Sequence, residues 1–119
     1  MQKILIIIND SPYGAEKAYN ALRMAKTLQE EPLGEVDVKI FLVSDGVYCG
    51  LINQEADNNN YDIEKMLKTV IKNGGEVKTC SGCAKSRGIY ELQFIEGVKR
   101  SNMKEFALWT YESDKVLNF

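Results

Sequence analysis

Five consecutive aliphatic residues, Ile4-Leu5-Ile6-Ile7-Ile8, constrain this chain more than any other stretch. A strand with one wet face alternates apolar and polar side chains. A strand with no polar position must be covered on both faces, which is the situation in a parallel sheet sandwiched between helices. Asn9-Asp10-Ser11-Pro12-Tyr13-Gly14 then reads as a loop and helix entry. Ala18, Ala21, Leu22, Ala25 and Leu28 recur at helical spacing and predict an amphipathic helix to about Gln29, ended by Pro32 and Gly34.

The same alternation continues down the chain. Val36, Val38, Ile40 and Leu42 alternate with Asp37, Lys39 and Phe41, a second strand that ends at Ser44-Asp45-Gly46. The stretch from Val47 to Ala56 has room for a turn of helix, and Asp57-Asn58-Asn59-Asn60 reads as a surface loop. Asn60 or Asp62 is positioned to cap a helix carrying Ile63, Met66, Leu67, Val70 and Ile71, which Asn73-Gly74-Gly75 stops. Glu76 to Thr79 is expected as a third strand that delivers Cys80. Leu92, Phe94, Ile95 and Val98 fit either a helix or a short strand. Asn102 followed by Glu105 has the capping-box form, with Met103, Phe106, Ala107 and Thr110 on one helical face, and Lys115 to Phe119 reads as a last strand. Strands alternating with helices predict an α/β fold, a three-layer α/β/α sandwich around a mostly parallel sheet of four to five strands with right-handed crossovers. No repeat or linker interrupts the chain, so residues 1–119 are expected to form one domain.

Charge and residue usage narrow the chemistry. The net charge is −2 and the cations are scattered apart from Lys99-Arg100 and Lys104, so direct nucleic-acid binding is not expected. No apolar run approaches the ~20 residues of a membrane span. Met1-Gln2-Lys3 leads into a strand rather than a signal peptide's apolar stretch, giving the expectation of a cytoplasmic protein with reduced thiols. The chain has no histidine, which removes the usual general base, the commonest zinc ligand and any Cys-His pairing. Three cysteines without histidine fall short of the usual four ligands of a zinc or iron–sulfur site, so no metal is expected. Asn73-Gly74-Gly75 precedes a strand instead of opening a helix, so it is no dinucleotide or phosphate loop, and no cofactor is expected.

What remains is Cys80-Ser81-Gly82-Cys83, followed by Ala84-Lys85-Ser86-Arg87-Gly88. A thiol at the carboxyl end of a strand, near a turn, backbone amides and cations, is in the setting where thiols ionise near neutral pH. Cys80 is therefore read as the nucleophile, with Lys85 or Arg87 and the amides of Ser81 and Gly82 stabilising its anion. Cys83 is either a resolving thiol or a packing residue, and Cys49 is structural or interfacial. Arg87 alternatively only anchors the chain to a carboxylate. In parallel sheets reactive groups gather at the carboxyl strand ends. Asn9, Ser44 and Asp45 lie at two such ends with Tyr13 and Tyr48 just beyond, so these are candidate substrate-binding residues beside Ser81 and Gly82.

These residues, in this order, resemble the DsrE/DsrF-like sulfur-relay family (the YchN/TusD-like proteins). The resemblance covers essentially the whole chain: the opening strand with Asn9 and Tyr13-Gly14, Ser44-Asp45-Gly46-Val47, Cys80-Ser81-Gly82-Cys83-Ala84 leading to Arg87-Gly88-Ile89, Ile95-Glu96-Gly97-Val98, and Asp114 to Phe119. It implies a compact α/β fold, assembly as a homotrimer or homohexamer, and donor and acceptor proteins for sulfur as partners. It further implies sulfane sulfur carried as a persulfide on the cysteine eight residues before the Arg-Gly glycine, which counted back from Gly88 is Cys80. The second cysteine, Cys83, looks closer to the stand-alone YchN-like branch than to the relay subunits. Tyr48, Leu51, Ile52 and Trp109, outside the clearest core faces, are candidates for subunit contacts. The leading expectation is a sulfur carrier or sulfurtransferase-like protein. The alternatives are an oligomeric module that binds a small ligand or senses thiol state without catalysis, and a small disulfide reductase using Cys80 and Cys83. The reductase fits the cysteine spacing but lacks a later proline, because both prolines precede residue 33.

Overall fold

The computed structural model describes residues 1–56 and 61–119. Five strands form one sheet: β1 (Gln2–Ile8), β2 (Val36–Leu42), β3 (Glu76–Cys80), β4 (Val98–Ser101) and β5 (Lys115–Asn118). Their order is β4-β3-β2-β1-β5, and every neighbouring pair is parallel. Among the described residues four α-helices connect them: α1 (Lys17–Glu30), α2 (Ile63–Lys72), α3 (Ser81–Ser86) and α4 (Met103–Glu112), with a 3-10 helix at Ser44–Gly50. From β1 to β4 the chain steps toward one edge of the sheet, and from β4 it returns across the whole sheet to β5. Right-handed crossovers in opposite directions put their helices on opposite faces. The result is a three-layer α/β/α fold.

The two faces divide the side chains by parity. Ile4, Ile6 and Ile8 of β1, Val38, Ile40 and Leu42 of β2, and Val77 of β3 pack with Ala18, Ala21, Leu22, Ala25, Ile63, Met66, Leu67 and Val70 from α1 and α2. On the other face Leu5 and Phe41 pack beneath Trp109 of α4. Phe41 stacks on Phe106 at 4.1 Å and meets Trp109 edge-on at 6.2 Å. Trp109 is buried against Leu5 and Phe41, while Tyr48, Leu51 and Ile52 are half-buried against the other two clusters. The inward side of α4 also differs from the expected face: Met103, Ala107 and Thr110 point to solvent and Phe106 and Trp109 point in. The stripe that buries the large indole is the more favourable one, since aromatic rings bury far more area than alanine or threonine.

Local signals hold at several ends. Asp62 caps α2 by accepting the Lys65 N–H at 3.1 Å, whereas the 57–60 loop and a cap at Asn60 lie outside the described residues. Asn102 Oδ1 accepts the Glu105 N–H at 2.9 Å, but the Glu105 carboxylate does not return to the cap; it accepts the Ser101 hydroxyl at 2.5 Å. The ambiguous stretch around residues 92–98 is mostly irregular, entering β4 only at Val98. Arg100 stabilises it by donating to the carbonyls of Tyr90 and Leu92 at 2.8 and 3.2 Å.

The helical turn expected within Val47 to Ala56 begins earlier, at Ser44. Glycine at 46 is the reason. A Cβ there would stand 2.0 Å from the Ile8 carbonyl oxygen, so only glycine lets the chain turn directly over the end of β1. Gly46→Ala is expected to destabilise the protein by about 3 kcal/mol or more. Gly82→Ala, where a Cβ meets nothing within 4 Å, should shift stability by no more than about 0.5 kcal/mol. Equal urea midpoints for the two variants would contradict this packing.

Candidate functional site

β3 alternates Val77 and Thr79 toward α1 and α2 with Lys78 and Cys80 toward the α4 side. Cys80 ends the strand and caps α3, its Sγ accepting the Cys83 N–H at 3.2 Å. The Cys83 Sγ in turn accepts the Ser44 N–H at 3.3 Å. Ser44 has φ 54°, an uncommon left-handed conformation for a residue with a side chain. Such a conformation costs on the order of 1 kcal/mol and is held here by the tight turn over β1. Gly88 (φ 70°) ends α3, with Gly88 N–H on the Lys85 carbonyl at 3.1 Å and Ile89 N–H on that of Ala84 at 3.0 Å. That reversal brings Arg87 back along α3: its Nε donates to Asp45 Oδ1 at 2.8 Å, and its Nη1 donates to the Cys83 carbonyl and Ser86 Oγ, both at 3.1 Å.

The thiols' surroundings differ from the sequence expectation in one respect. The Cys80 pKa is raised, not lowered, chiefly by burial and next by its hydrogen bond with the Cys83 thiol; the Cys83 and Gly82 amides pull the other way without prevailing. Cys80 lies between the cluster of Val47, Ala84, Ile89 and Phe94 and that of Leu5, Phe41 and Trp109. Neither expected cation is aimed at it. Arg87 is engaged by Asp45, which raises the guanidinium pKa further, and Lys85 Nζ sits 4.8 Å from the centroid of the Tyr90 ring. Cys49 is fully buried, donates to the Asp10 carbonyl at 3.6 Å, and has its pKa pushed up to about 12 by burial and then by Asp10. It is a structural thiol.

Of the candidate residues, the fold gathers Cys80, Cys83, Arg87, Ser44, Asp45, Ser81 and Gly82, with Tyr48 packed against the same outer cluster. It does not gather Asn9 and Tyr13. Asn9 Nδ2 donates to Asn118 Oδ1 at 2.6 Å and to the Phe119 carbonyl at 3.1 Å, closing the crevice between β1 and β5 where the winding reverses. The Tyr13 hydroxyl accepts the Ile63 N–H at 3.3 Å and so seats the start of α2. A polar group absent from the sequence reading adjoins the site. Ser101 pairs with Cys80 across β3 and β4, and Glu105 bonds Ser101 while standing 3.5 Å from Lys78 Nζ. The Ser101 hydrogen bond and then Lys78 lower the Glu105 pKa, keeping it ionised. Its one sequence signal, the Asn102/Glu105 spacing, pointed to a cap instead.

No three acidic, cysteine or histidine side chains among the described residues converge as a metal would require, and no described helix is long and apolar enough to cross a membrane. A groove of about 460 Å³ beside Lys85, Gly88 and Tyr90 borders the end of α3, and others lie farther off. One of about 610 Å³ runs along Ala107, Leu108 and Tyr111 of α4, and one of about 470 Å³ lies between α1 and α2 beside Tyr19, Arg23 and Lys65. The thiol pair is a surface feature suited to thiol exchange with another chain.

Comparison with known proteins gives the same arrangement a lineage. The family model for the DsrE/DsrF-like family matches residues 2–119. The chain belongs to that family. It is 41% identical over 119 residues to Protein YchN of Escherichia coli K12, covering 100% of both chains. It is 45% identical over 116 residues to an uncharacterized protein of Methanopyrus kandleri, covering 98% of this chain and 93% of that one. The crystal structure of E. coli YchN superposes with a TM-score of 0.93 over 100% of both chains. A more distant relative, 29% identical over 126 residues with 96% and 95% coverage, is a sulfurtransferase TusD homolog of Vibrio parahaemolyticus.

Two outcomes follow from the thiols' settings. Alkylation of Cys80, mapped by peptide mass spectrometry, is expected to keep rising through the free-cysteine range of about pH 8.5 and to level off only above it; a rate already at its plateau at pH 7 would refute the raised pKa. For Cys49, a folded pKa above the ordinary 9.0 means that its contribution to stability is complete below that pH and is lost as pH rises toward about 12. Cys49→Ala should therefore lose stability less steeply over this interval, as measured by urea unfolding at stepped pH.

Proposed function

We propose that this protein is a sulfur carrier of the sulfurtransferase type. Cys80 accepts sulfane sulfur from a donor protein, holds it as a persulfide, and yields it to the thiol of an acceptor protein. The observation that carries this reading is the Cys80 sulfur itself: partly exposed at the carboxyl end of β3, with the Cys83 N–H already directed at it. In the loading step the Cys80 thiolate attacks the outer sulfur of the donor's persulfide. The donor's S–S bond breaks, its thiolate departs, and the outer sulfur remains on Cys80. The exchange requires access and an ionised attacker, not a dedicated base, in keeping with a chain that has no histidine.

The raised Cys80 pKa gives this carrier a particular character. Little thiolate is present in the free protein at neutral pH, so small thiol reagents react slowly. A docked donor raises the rate by holding the two sulfurs together, where proximity substitutes for acidity. The reading extends to residues 1–119 acting as one domain, assembled as a homo-oligomer and working in the cytoplasm. Arg87 and Asp45 are positioning residues that fix α3 against the Ser44 turn.

Anaerobic incubation with glutathione persulfide, followed by trapping and peptide mass spectrometry, tests the reading. An added sulfur is expected in wild type and in Cys83→Ser, and none in Cys80→Ser. Sulfur that persists in Cys80→Ser and vanishes in Cys83→Ser would refute the assignment. A Cys80–Cys83 disulfide turning over with a thiol reductant, without a sulfur adduct, would make the protein a reductase instead.

A further inference from the structure

The two sulfurs of the Cys80–Cys83 pair occupy unlike ground. Cys80 packs against both apolar clusters at the strand ends, whereas Cys83 packs only against the outer one. The contact from the Cys83 N–H to Cys80 Sγ is partly buried, and the contact from the Ser44 N–H to Cys83 Sγ lies at the surface. The unusual φ of Ser44 aims that amide, and the turn is pinned by Val43 N–H on the Ile8 carbonyl at 3.0 Å and Gly46 N–H on the Val43 carbonyl at 2.9 Å. Arg87 closes the other side, held to Asp45 and to the Cys83 carbonyl, so a fixed guanidinium stands beside Cys83. Strained backbone of this kind concentrates at functional positions. Neither the Ser44 amide nor Arg87 serves Cys80.

We propose that Cys83 is a second sulfur carrier: sulfur taken up on Cys80 is handed to Cys83, where the Ser44 amide and Arg87 hold the persulfide at the surface for the acceptor. This rests on the reading of Cys80 as the entry thiol. In the step, the Cys83 sulfur attacks the outer sulfur of the Cys80 persulfide. A new S–S bond forms at Cys83, and the bond to Cys80 Sγ breaks with its electron pair passing to Cys80. Cys80 Sγ already accepts the Cys83 N–H, and it takes up the proton that Cys83 gives up. One S–S bond is exchanged for another, and no oxidant or reductant is consumed.

The direction follows from where charge is tolerated. An ionised persulfide on Cys80 would lie in the half-buried setting that already disfavours the Cys80 thiolate. On Cys83 the same charge lies beside a guanidinium and an amide donor, and the proton resides on Cys80, whose surroundings favour the neutral form. The competing route is attack on Cys80 Sγ itself, which expels hydrosulfide and leaves a Cys80–Cys83 disulfide. It consumes the sulfur instead of presenting it.

Time-resolved trapping after loading with glutathione persulfide under anaerobic conditions separates these routes. In wild type the added sulfur should appear first on Cys80 and accumulate on Cys83; in Cys83→Ser it should remain on Cys80. Arg87→Met should shift the Cys83-to-Cys80 label ratio toward Cys80 by about tenfold, the scale of one lost charge-assisted contact. Label confined to Cys80 in wild type, or stoichiometric disulfide with hydrosulfide release, overturns the hand-off and leaves Cys80 as carrier. Label reaching Cys83 at an undiminished rate in Cys80→Ser overturns both the hand-off and the entry role of Cys80.

Discussion

β1 has water on neither face, and the rest of the architecture follows from that. Leu5, Ile6 and Ile8 are fully buried, with α1 and α2 above one side and α4 above the other. Burying aliphatic side chains at about 25 cal/mol per Å² makes β1, one place in from the β5 edge, a major source of cohesion. Covering both faces requires helices from crossovers running in both directions along the sheet. The order β4-β3-β2-β1-β5 meets that requirement with one return across the sheet. β3, next to the edge, is then free to end at the surface.

The site is built where β1 meets its neighbour's exit. Gly46 lies against the Ile8 carbonyl, so the 3-10 helix starts at once and Ser44 is forced into a left-handed turn with its N–H directed away from the sheet. Gly88 does the corresponding work at the far end of α3, folding Arg87 back onto Asp45. Two glycines thus set the conformations of Ser44 and Arg87, and those two residues bracket Cys83. Cys80 is served by something simpler, the first free amides after a strand.

Electrostatically the pair is asymmetric. An anion at Cys80 is opposed by burial, and the Glu105 carboxylate of α4 is already engaged by Ser101 of β4 and Lys78 of β3. The Arg87 guanidinium, paired with Asp45, stands at the Cys83 carbonyl. A thiol disfavoured as an anion reacts slowly with arbitrary reagents and depends on a docked partner.

Residue order alone was enough for the layers, the strands from β1 to β3, and the two thiols, because aliphatic periodicity and the Cys80-Ser81-Gly82-Cys83 run are local signals that any correct fold must honour. It left Cys49 as structural or interfacial, and burial of the thiol supports the structural reading. The same order could not say which side of α4 turns inward, since Met103 and Trp109 both fit a helical stripe and only the stack on Phe41 chooses between them. Nor could it say that Asn9 and Tyr13 serve the β5 edge and the α2 start, or that Arg87 meets Asp45 instead of Cys80. Those outcomes depend on contacts between residues dozens of positions apart. The Cys80 ionisation is of the same kind: strand end and nearby cations suggested a lowered pKa, but desolvation by side chains from β1, β2, α4 and the 3-10 helix outweighs the amides, and no spacing rule encodes that balance.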